Sequence, residues 1–200
     1  MELEHFGWNV LTFGFIGALV FAFVEAWGLW EQNKEVWRQR SGQSLSVTWV
    51  IYGAFLMVSG ALYGTSTGSI ALMAAGTLVG LMHIPVLIGL YKFKGYTRWN
   101  HALLLSLFVA LWFMRESPHK DWFFLAFSFG SIGADIMQPY EMWRDKNAGV
   151  VEVKLLGAYL ASTVFWTMYA FAIGDWTLQI ICPAFLVILT VTLCLWVKYR

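Results

Sequence analysis

The sequence has little charge, proline or cysteine for its length. Charged residues make up 12% of the 200 residues and apolar residues 59%, whereas a soluble domain ordinarily carries about 25% charged residues. The formal net charge is +1, so the chain has no broad positive field of the kind that attracts nucleic acid. These shortages exclude an ordinary soluble domain and indicate a membrane protein.

Chemistry-bearing motifs are also scarce. The two cysteines, Cys182 and Cys194, lie in one apolar run and are too far apart on a single helix for a disulfide. No His or Cys stands three or four residues from His83, so we expect no metal site and no cofactor. No nucleophile–base pair or phosphate-binding loop is visible, so we expect no enzyme. The N-terminus has no basic stretch, so we expect no cleaved signal peptide.

Long apolar runs account for most of the chain. They cover residues 8–30, 46–64, 70–91, 100–114, 122–140, 154–173 and 177–197. None alternates in polarity as the strands of a membrane barrel do. All but the fourth are clearly long enough for a helix that spans the bilayer. We therefore predict an all-α integral membrane protein with seven transmembrane helices.

A short polar sequence occurs twice. The first copy contains Gln32, Glu35, Trp37 and Arg38, and the second contains Gln138, Glu141, Trp143 and Arg144, each 106 residues later. Flanking positions agree at the same offset, for example Tyr63 with Tyr169. We predict an internal repeat in which residues 8–92 and 120–198 form two parallel triple-helix bundles, with a linker helix over 97–115. Parallel repeats of this kind are a known transporter architecture.

Lys and Arg are distributed unevenly among the connections. Eleven of the thirteen positive residues lie on one side of the predicted helices, and only Arg115 and Lys120 lie on the other. By the positive-inside rule, the N-terminus is outside and the C-terminus is cytoplasmic. This predicts a multi-pass integral membrane protein, in the plasma or inner membrane of a bacterium or in an organelle membrane of a eukaryote. The expected partners are the lipid bilayer and a small-molecule solute, with no nucleic acid and with a homo-oligomer left open.

The repeated polar sequence resembles a known motif. Gln32 is followed after six residues by Arg38, then by a polar turn, and then by Ser44-Leu45-Ser46 leading into a helix that ends near Tyr63. This pattern resembles the PQ-loop motif, and two copies in seven helices resemble the PQ-loop and SWEET-like (MtN3) transporter superfamily. The resemblance implies two triple-helix bundles and a linker helix. It also implies alternating-access movement of a small polar solute held between the bundles, either facilitated or proton-linked.

The chain departs from that superfamily in its prolines and asparagines. Glu31 and Met137 stand where the family has a proline before the glutamine, and Pro139 follows its glutamine instead. The substrate-binding asparagines of sugar-carrying members on helices 3 and 7 are missing. An amino acid or another zwitterionic or cationic solute is therefore slightly favoured over a sugar. A non-transporting receptor or membrane-assembly protein of the same fold is the alternative, since a fold does not decide function.

Polar side chains inside the apolar runs are the candidates for substrate binding or proton coupling. Carboxylates such as Glu25 and Asp135 are costly at membrane depth unless they face the protein interior or are protonated. Ser131 shares a helix face with Asp135, and His83 lies on a face with small residues that allow close helix packing. Amphipathic side chains that suit the wall of a solute site are Tyr52 and Ser59 on helix 2, and Tyr159 and Trp166 on helix 6.

Each candidate also has a structural interpretation. Glu25 or Asp135 can bond to a neighbouring helix or to interfacial water, and His83 can form an interhelical hydrogen bond. The aromatic side chains can serve packing and interface anchoring alone. The charged and aromatic residues of the two motifs can close a gate at the inner surface or can cap helices, and we expect the structural role for them.

Overall fold

The computed structural model describes residues 2–42, 45–146 and 153–200, and the regular elements among them are all α-helices. They are α1 (Val10–Gln39), α2 (Val47–Thr67), α3 (Ile70–Phe93), α4 (Arg98–Glu116), α5 (Lys120–Asp145), α6 (Val153–Ile173) and α7 (Trp176–Tyr199). Within these ranges, five helices are long and apolar enough to cross a membrane: α1, α2, α3, α7 and the Leu156–Ile173 part of α6. These helices support the prediction of an all-α, multi-pass membrane protein.

Helices α4 and α5 are not among those five. Helix α4 begins at Arg98 and ends with Arg115 and Glu116, so only its middle is apolar. Helix α5 has Asp121 in its first turn and Asp135 in its interior. Charge at these positions lowers the apolar character of both helices. For α4 this matches the marginal length of the fourth apolar run, whereas the span predicted over residues 122–140 stays a prediction.

The helix boundaries recur at the offset of the repeated sequence. Helices α2 and α6 begin 106 residues apart and end 106 residues apart, and the same holds for α3 and α7. Helices α1 and α5 also end 106 residues apart. Helix α4 has no counterpart in this correspondence.

The turns between these helices agree as well. Gly68 ends α2 with φ 71°, and Gly174 follows α6 with φ 70°. Both adopt the left-handed conformation, which glycine reaches without steric cost. Beyond the ends of α1 and α5, Arg40 (φ 48°) and Lys146 (φ 52°) also adopt positive φ at equivalent positions.

The two hairpins use the same cap. Ser69 Oγ accepts a hydrogen bond from the Leu72 backbone N–H at 3.1 Å, and Asp175 Oδ1 accepts one from the Leu178 backbone N–H at 2.9 Å. Each satisfies an N–H group in the first turn of its helix, which has no intrahelical partner. The α2–α3 and α6–α7 hairpins therefore have the same local design.

The chain divides into two compact units. The terminal unit comprises Met1–Phe21 and Ile132–Arg200, and the central unit comprises Ala22–Ser131. The terminal unit thus contains the first part of α1, the last part of α5, α6 and α7. The central unit contains the remainder of α1, then α2, α3, α4 and the first part of α5.

Helix α2 is the core of the central unit. It packs closely on α3 at Gly76, where an added Cβ would lie 2.5 Å from the Met57 carbonyl oxygen. On its other sides, the Tyr63 ring stacks on Phe124 of α5 with centroids 4.9 Å apart. Phe55 meets Phe108 of α4 edge-on at 4.9 Å. Three neighbouring helices therefore pack around α2.

In the terminal unit, α6 packs against α7 and against the first part of α1. A Cβ added to Gly14 would lie 2.7 Å from the Tyr169 backbone nitrogen, so only glycine allows this approach. A Cβ added to Gly17 would lie closer still to Cδ1 of the Phe165 ring. One turn further along α1, Phe21 stacks on Phe165 at 5.6 Å.

Candidate functional site

Two predicted polar residues of the central unit, Tyr52 of α2 and His83 of α3, make their contacts at neighbouring positions of α2. The Tyr52 ring lies against Gly130 of α5, where an added Cβ would be 2.7 Å from Cε1. The next residue, Gly53, faces the His83 ring of α3, and a Cβ there would be 2.9 Å from Nε2. Ser131, adjacent to Gly130, is buried. Tyr52, His83 and Ser131 therefore come from three helices to one level of α2.

His83 is hydrogen-bonded within its own helix. Its Nδ1 lies 2.8 Å from the Val79 carbonyl oxygen, which can only accept, so Nδ1 carries the proton. In the neutral ring, Nε2 is then an acceptor that points toward Gly53 on α2. The Nδ1 bond is therefore intrahelical, and an interhelical hydrogen bond of His83 stays a prediction.

Buried hydroxyls line the same core. The Ser59 side chain is fully buried on α2, and its Oγ donates to the Leu56 carbonyl oxygen at 2.8 Å. Ser128 of α5, one turn before Ser131, is also fully buried and donates to the Phe124 carbonyl oxygen at 2.8 Å. A serine hydroxyl that donates to its own helix still has free lone pairs. Such a hydroxyl can accept a hydrogen bond from a polar solute, and its own proton keeps a partner when no solute is bound.

The terminal unit contains a buried carboxylate. The Tyr169 hydroxyl of α6 donates to Glu2 Oε1 at 2.5 Å, and Glu2 and Tyr169 are 2% and 0% exposed. The Trp166 ring meets the Tyr169 ring edge-on at 5.7 Å. Thus a predicted wall residue, Trp166, flanks a buried tyrosine–carboxylate hydrogen bond that the sequence does not predict.

The other predicted residue of α6, Tyr159, lies on the same helix face as this hydrogen bond and is partly buried. Ser162, on that face too, is buried. The Tyr159 carbonyl oxygen accepts a 2.8 Å hydrogen bond from the Thr163 hydroxyl. This face of α6 combines aromatic rings, a hydroxyl and the carboxylate of Glu2, which suits binding of a solute with both apolar and cationic parts.

The two predicted membrane carboxylates lie in different units. Glu25 is partly buried on α1 in the central unit, and Asp135 is partly buried on α5 in the terminal unit. Both take part in interactions within the chain. Glu25 and Ser131 occupy equivalent positions of the repeat, 106 residues apart. The second copy therefore has a hydroxyl where the first has an acid.

The first motif divides between two surfaces of α1. Glu35 accepts hydrogen bonds from Arg38, at 2.7 Å, and from Gln39 on the exposed side. Trp37 instead turns toward α3, where its Nε1–H donates to the Pro85 carbonyl oxygen at 3.3 Å. Gln32 is partly buried one turn earlier. Trp37 thus fastens the end of α1 to α3, whereas Glu35 and Arg38 neutralise each other.

A shallow surface depression of about 240 Å³ lies beside Glu35 and Arg38 and is also lined by Glu31 and Lys34. Lys34 and Glu31 form a second ion pair at 2.7 Å. Exposed pairs of this kind contribute little to stability. The depression therefore lacks the uncompensated charge or buried polar group that a binding site requires.

The second motif lies at the end of α5. Trp143 and Arg144 are exposed, and the Arg144 guanidinium lies 5.9 Å from the Tyr140 ring centroid. Pro139 is buried within the helix. The side chains of Gln138 and Glu141 lie outside the described part of the structure. The described residues of this motif form aromatic and cationic contacts.

The connection between α3 and α4 forms an aromatic cluster. The Tyr96 ring lies 5.2 Å from the Tyr91 ring and 5.8 Å from the His101 ring. Its hydroxyl donates to the Leu87 carbonyl oxygen at 2.9 Å. Burial raises the pKa of Tyr96 above its ordinary value, so this hydroxyl stays protonated and keeps donating at physiological pH.

Two polar groups escape prediction from the sequence. Glu2 belongs to an N-terminal stretch in which nothing distinguishes it from Glu4. Asn33 lies next to the motif residue Gln32, and its buried Oδ1 accepts no hydrogen bond from the described residues. Position 33 lies on the face of α1 that also carries buried Leu29 and Val36, and that periodicity is the one signal for its burial.

No group of three or more His, Cys, Asp or Glu side chains could hold a metal ion within the described residues. The sequence matches no protein-family model and no curated protein at a significant level.

Proposed function

We propose that the protein is a membrane transporter that moves a small polar solute by alternating access, using two related triple-helix bundles of the PQ-loop and SWEET-like type. The solute class is an amino acid or another zwitterionic or cationic molecule. Transport is proton-linked through membrane carboxylates. The N-terminus lies outside and the C-terminus in the cytoplasm.

The observation that carries the proposal is the recurrence of helix boundaries at one offset. Three helices end 106 residues before three others, and two of these pairs also begin 106 residues apart. The left-handed glycines Gly68 and Gly174 and the caps Ser69 and Asp175 occupy equivalent positions. Two copies of one triplet, separated by a seventh helix, are what a parallel-repeat transporter requires.

The polar side chains of the helices support a solute path. Helix α5 carries Ser128, Ser131 and Asp135 along an otherwise apolar stretch. Polar residues at membrane depth are tolerated where they face protein or a water-filled cavity. In this proposal the polar stripe of α5 faces the protein interior, the charges of α4 lie at its two ends, and both helices cross the bilayer.

Acidic groups support proton linkage and a solute with positive charge. Glu25 and Asp135 are partly buried within helices, and Glu2 is buried against Tyr169. Acidic side chains at membrane depth are rare and typically mark ion or proton pathways. An aminated solute gains a charged partner there, whereas a neutral sugar does not.

Uptake into proteoliposomes tests the proposal. Labelled amino acids, sugars and vitamins are offered to wild type, Glu25→Gln and Asp135→Asn, with and without an inward proton gradient. Glu31→Gln on the exposed side of α1 and Asp121→Asn in the first turn of α5 are the matched controls. The proposal predicts uptake of one solute class, with the pH dependence lost in at least one test variant and kept in both controls.

Two outcomes count against the proposal. If solute moves and neither test variant alters the pH dependence, proton linkage through these carboxylates is wrong. If well-folded protein moves nothing on the panel, the receptor or assembly function replaces transport, and a stably co-purifying partner identifies it.

A further inference from the structure

Helices α1–α3 form one triplet and helices α5–α7 the other. Each triplet has a cluster of lysine and aromatic side chains at equivalent helix ends. The Trp37 cluster consists of Trp37, Lys92 and Phe93. The Trp143 cluster consists of Trp143, Lys146, Lys198 and Tyr199. Trp37, Lys92 and Phe93 correspond to Trp143, Lys198 and Tyr199 at the offset of 106 residues.

In the Trp37 cluster, one ammonium group lies over two rings. Lys92 Nζ is 5.2 Å from the Trp37 ring centroid and 5.4 Å from that of Phe93. The two rings meet edge-on at 5.4 Å. This is the geometry of a cation–π contact, which holds the ammonium in place without neutralising its charge.

The Trp143 cluster repeats the arrangement with an additional lysine. Lys146 Nζ is 4.8 Å from the Trp143 centroid and 5.3 Å from that of Tyr199, and it donates to the Tyr199 hydroxyl at 3.2 Å. Lys198 Nζ lies 5.2 Å from the same tyrosine ring. Two ammonium groups therefore share one aromatic platform.

The charges of these clusters are not compensated by the described side chains. The ion pairs among those residues join Lys34 to Glu31, Arg38 to Glu35, and Arg115 to Glu116. None includes Lys92, Lys146 or Lys198. A helix C-terminus carries about half a negative charge, which a single lysine already exceeds. Among the described side chains, each cluster therefore carries more positive than negative charge.

The aromatic residues place these charges at the level of lipid headgroups. Trp37 is 39% exposed and Trp143 is 54% exposed. Exposed Trp and Tyr at helix ends sit at the membrane–water interface, and neighbouring lysines extend to the same level. The positive-inside rule places both helix ends at the cytoplasmic leaflet, where anionic lipids are concentrated.

We propose that the Trp37 and Trp143 clusters each bind the phosphate of an anionic phospholipid headgroup, with lysine supplying the charge and tryptophan lying against the glycerol and upper acyl region. This inference is independent of the transport proposal. It requires no solute and is tested without a flux measurement.

Equilibrium binding of fluorescent phosphatidylglycerol to the purified protein in mixed micelles tests this, with fluorescent phosphatidylcholine for comparison. The variants Lys92→Gln and Lys198→Gln remove charge and keep side-chain length. Lys34→Gln is the matched control, because Lys34 is exposed and already paired with Glu31. Lys92→Arg and Lys198→Arg keep the charge. They show whether a loss of lipid binding comes from the missing charge or from disturbed folding.

Wild type is expected to prefer phosphatidylglycerol, with two binding steps. Each glutamine variant should weaken one step about fivefold, which is the effect of one lysine at an anionic surface. The control and the arginine variants should bind as wild type does. The proposal is wrong if wild type binds both lipids equally, if the glutamine variants are unaffected, or if Lys34→Gln is affected as much. If inorganic phosphate displaces the fluorescent lipid at the same concentration as the lipid, the site binds free phosphate. That result would also contradict the proposal.

Discussion

Tyr169 donates a 2.5 Å hydrogen bond to Glu2, a residue 167 positions earlier in the chain, and both side chains are buried. The equivalent tyrosine of the first copy, Tyr63, is also buried but stacks on Phe124. The two copies therefore share helix boundaries and differ in polar content.

Removing the Tyr169 hydroxyl should destabilise the protein. Tyr169→Phe leaves a buried oxygen of Glu2 without this donor, which costs about 1–3 kcal/mol. The midpoint of thermal unfolding in detergent measures the effect. Tyr91→Phe is the control, because the Tyr91 ring is exposed and its described contacts are ring contacts. Equal midpoints for the two variants would show that the Glu2–Tyr169 bond contributes nothing to stability.

Gly14 should be intolerant of any side chain. An added methyl group would lie 2.7 Å from the Tyr169 backbone nitrogen, and overpacking of this kind costs about 1–3 kcal/mol. We expect Gly14→Ala to lower the unfolding midpoint. Gly157→Ala in α6 should leave it unchanged or raise it slightly, since nothing lies within 4 Å of that position and alanine favours a helix. If the Gly14→Ala protein is more stable than the Gly157→Ala protein, α1 does not pack closely on α6 at Gly14.

Alanine substitution at either hairpin glycine should lower the stability of the protein by a similar amount. Gly68→Ala and Gly174→Ala place an L side chain at φ 71° and 70°, at a cost of about 1–2 kcal/mol each. Neither position has a neighbour within 4 Å, so backbone strain is the whole effect. Unfolding midpoints that fall by similar amounts support equivalent turns. A loss at one glycine and a gain at the other would contradict the equivalence.

Helix positions and turn chemistry are predictable from this sequence because they depend on local patterns. Apolar runs mark the helices, and Gly68 and Gly174 stand where two of them end. The offset of 106 residues follows from the motif alone, since Gln32, Trp37 and Arg38 recur without gaps. The membrane character of the chain follows from its composition.

The pairing of distant side chains is not predictable in the same way. Glu2 meets Tyr169 because α1 and α6 approach closely at Gly14, and no single-sequence pattern states which glycine faces which helix. His83 illustrates the same limit, because its position in an apolar run indicates burial but not whether its bond is to its own helix or to another. The weaker apolar character of α5 likewise depends on what that helix faces.

His83 should be dispensable for folding and needed for transport. Leucine occupies the equivalent position 189 of the second copy, so His83→Leu should cost about 0.5–1.5 kcal/mol in stability, the net value of the lost hydrogen bond to Val79. Loss of a polar group in the solute path should reduce uptake about tenfold or more.

His101→Leu is the control for this prediction. Nδ1 of His101 makes the same intrahelical bond, at 2.9 Å to the Thr97 carbonyl oxygen, but the residue is exposed. Comparable uptake by the His83→Leu and His101→Leu proteins would place His83 outside the solute path.

Solute counterflow tests the central claim most directly. Proteoliposomes are loaded with a high concentration of the transported solute without label, and labelled solute is added outside. A carrier that exposes its site alternately to the two sides must accumulate label inside above the outside concentration before it equilibrates. We predict this transient overshoot for wild type and for Glu31→Gln. Label that only approaches the outside concentration, at a rate unaffected by internal solute, would contradict alternating access.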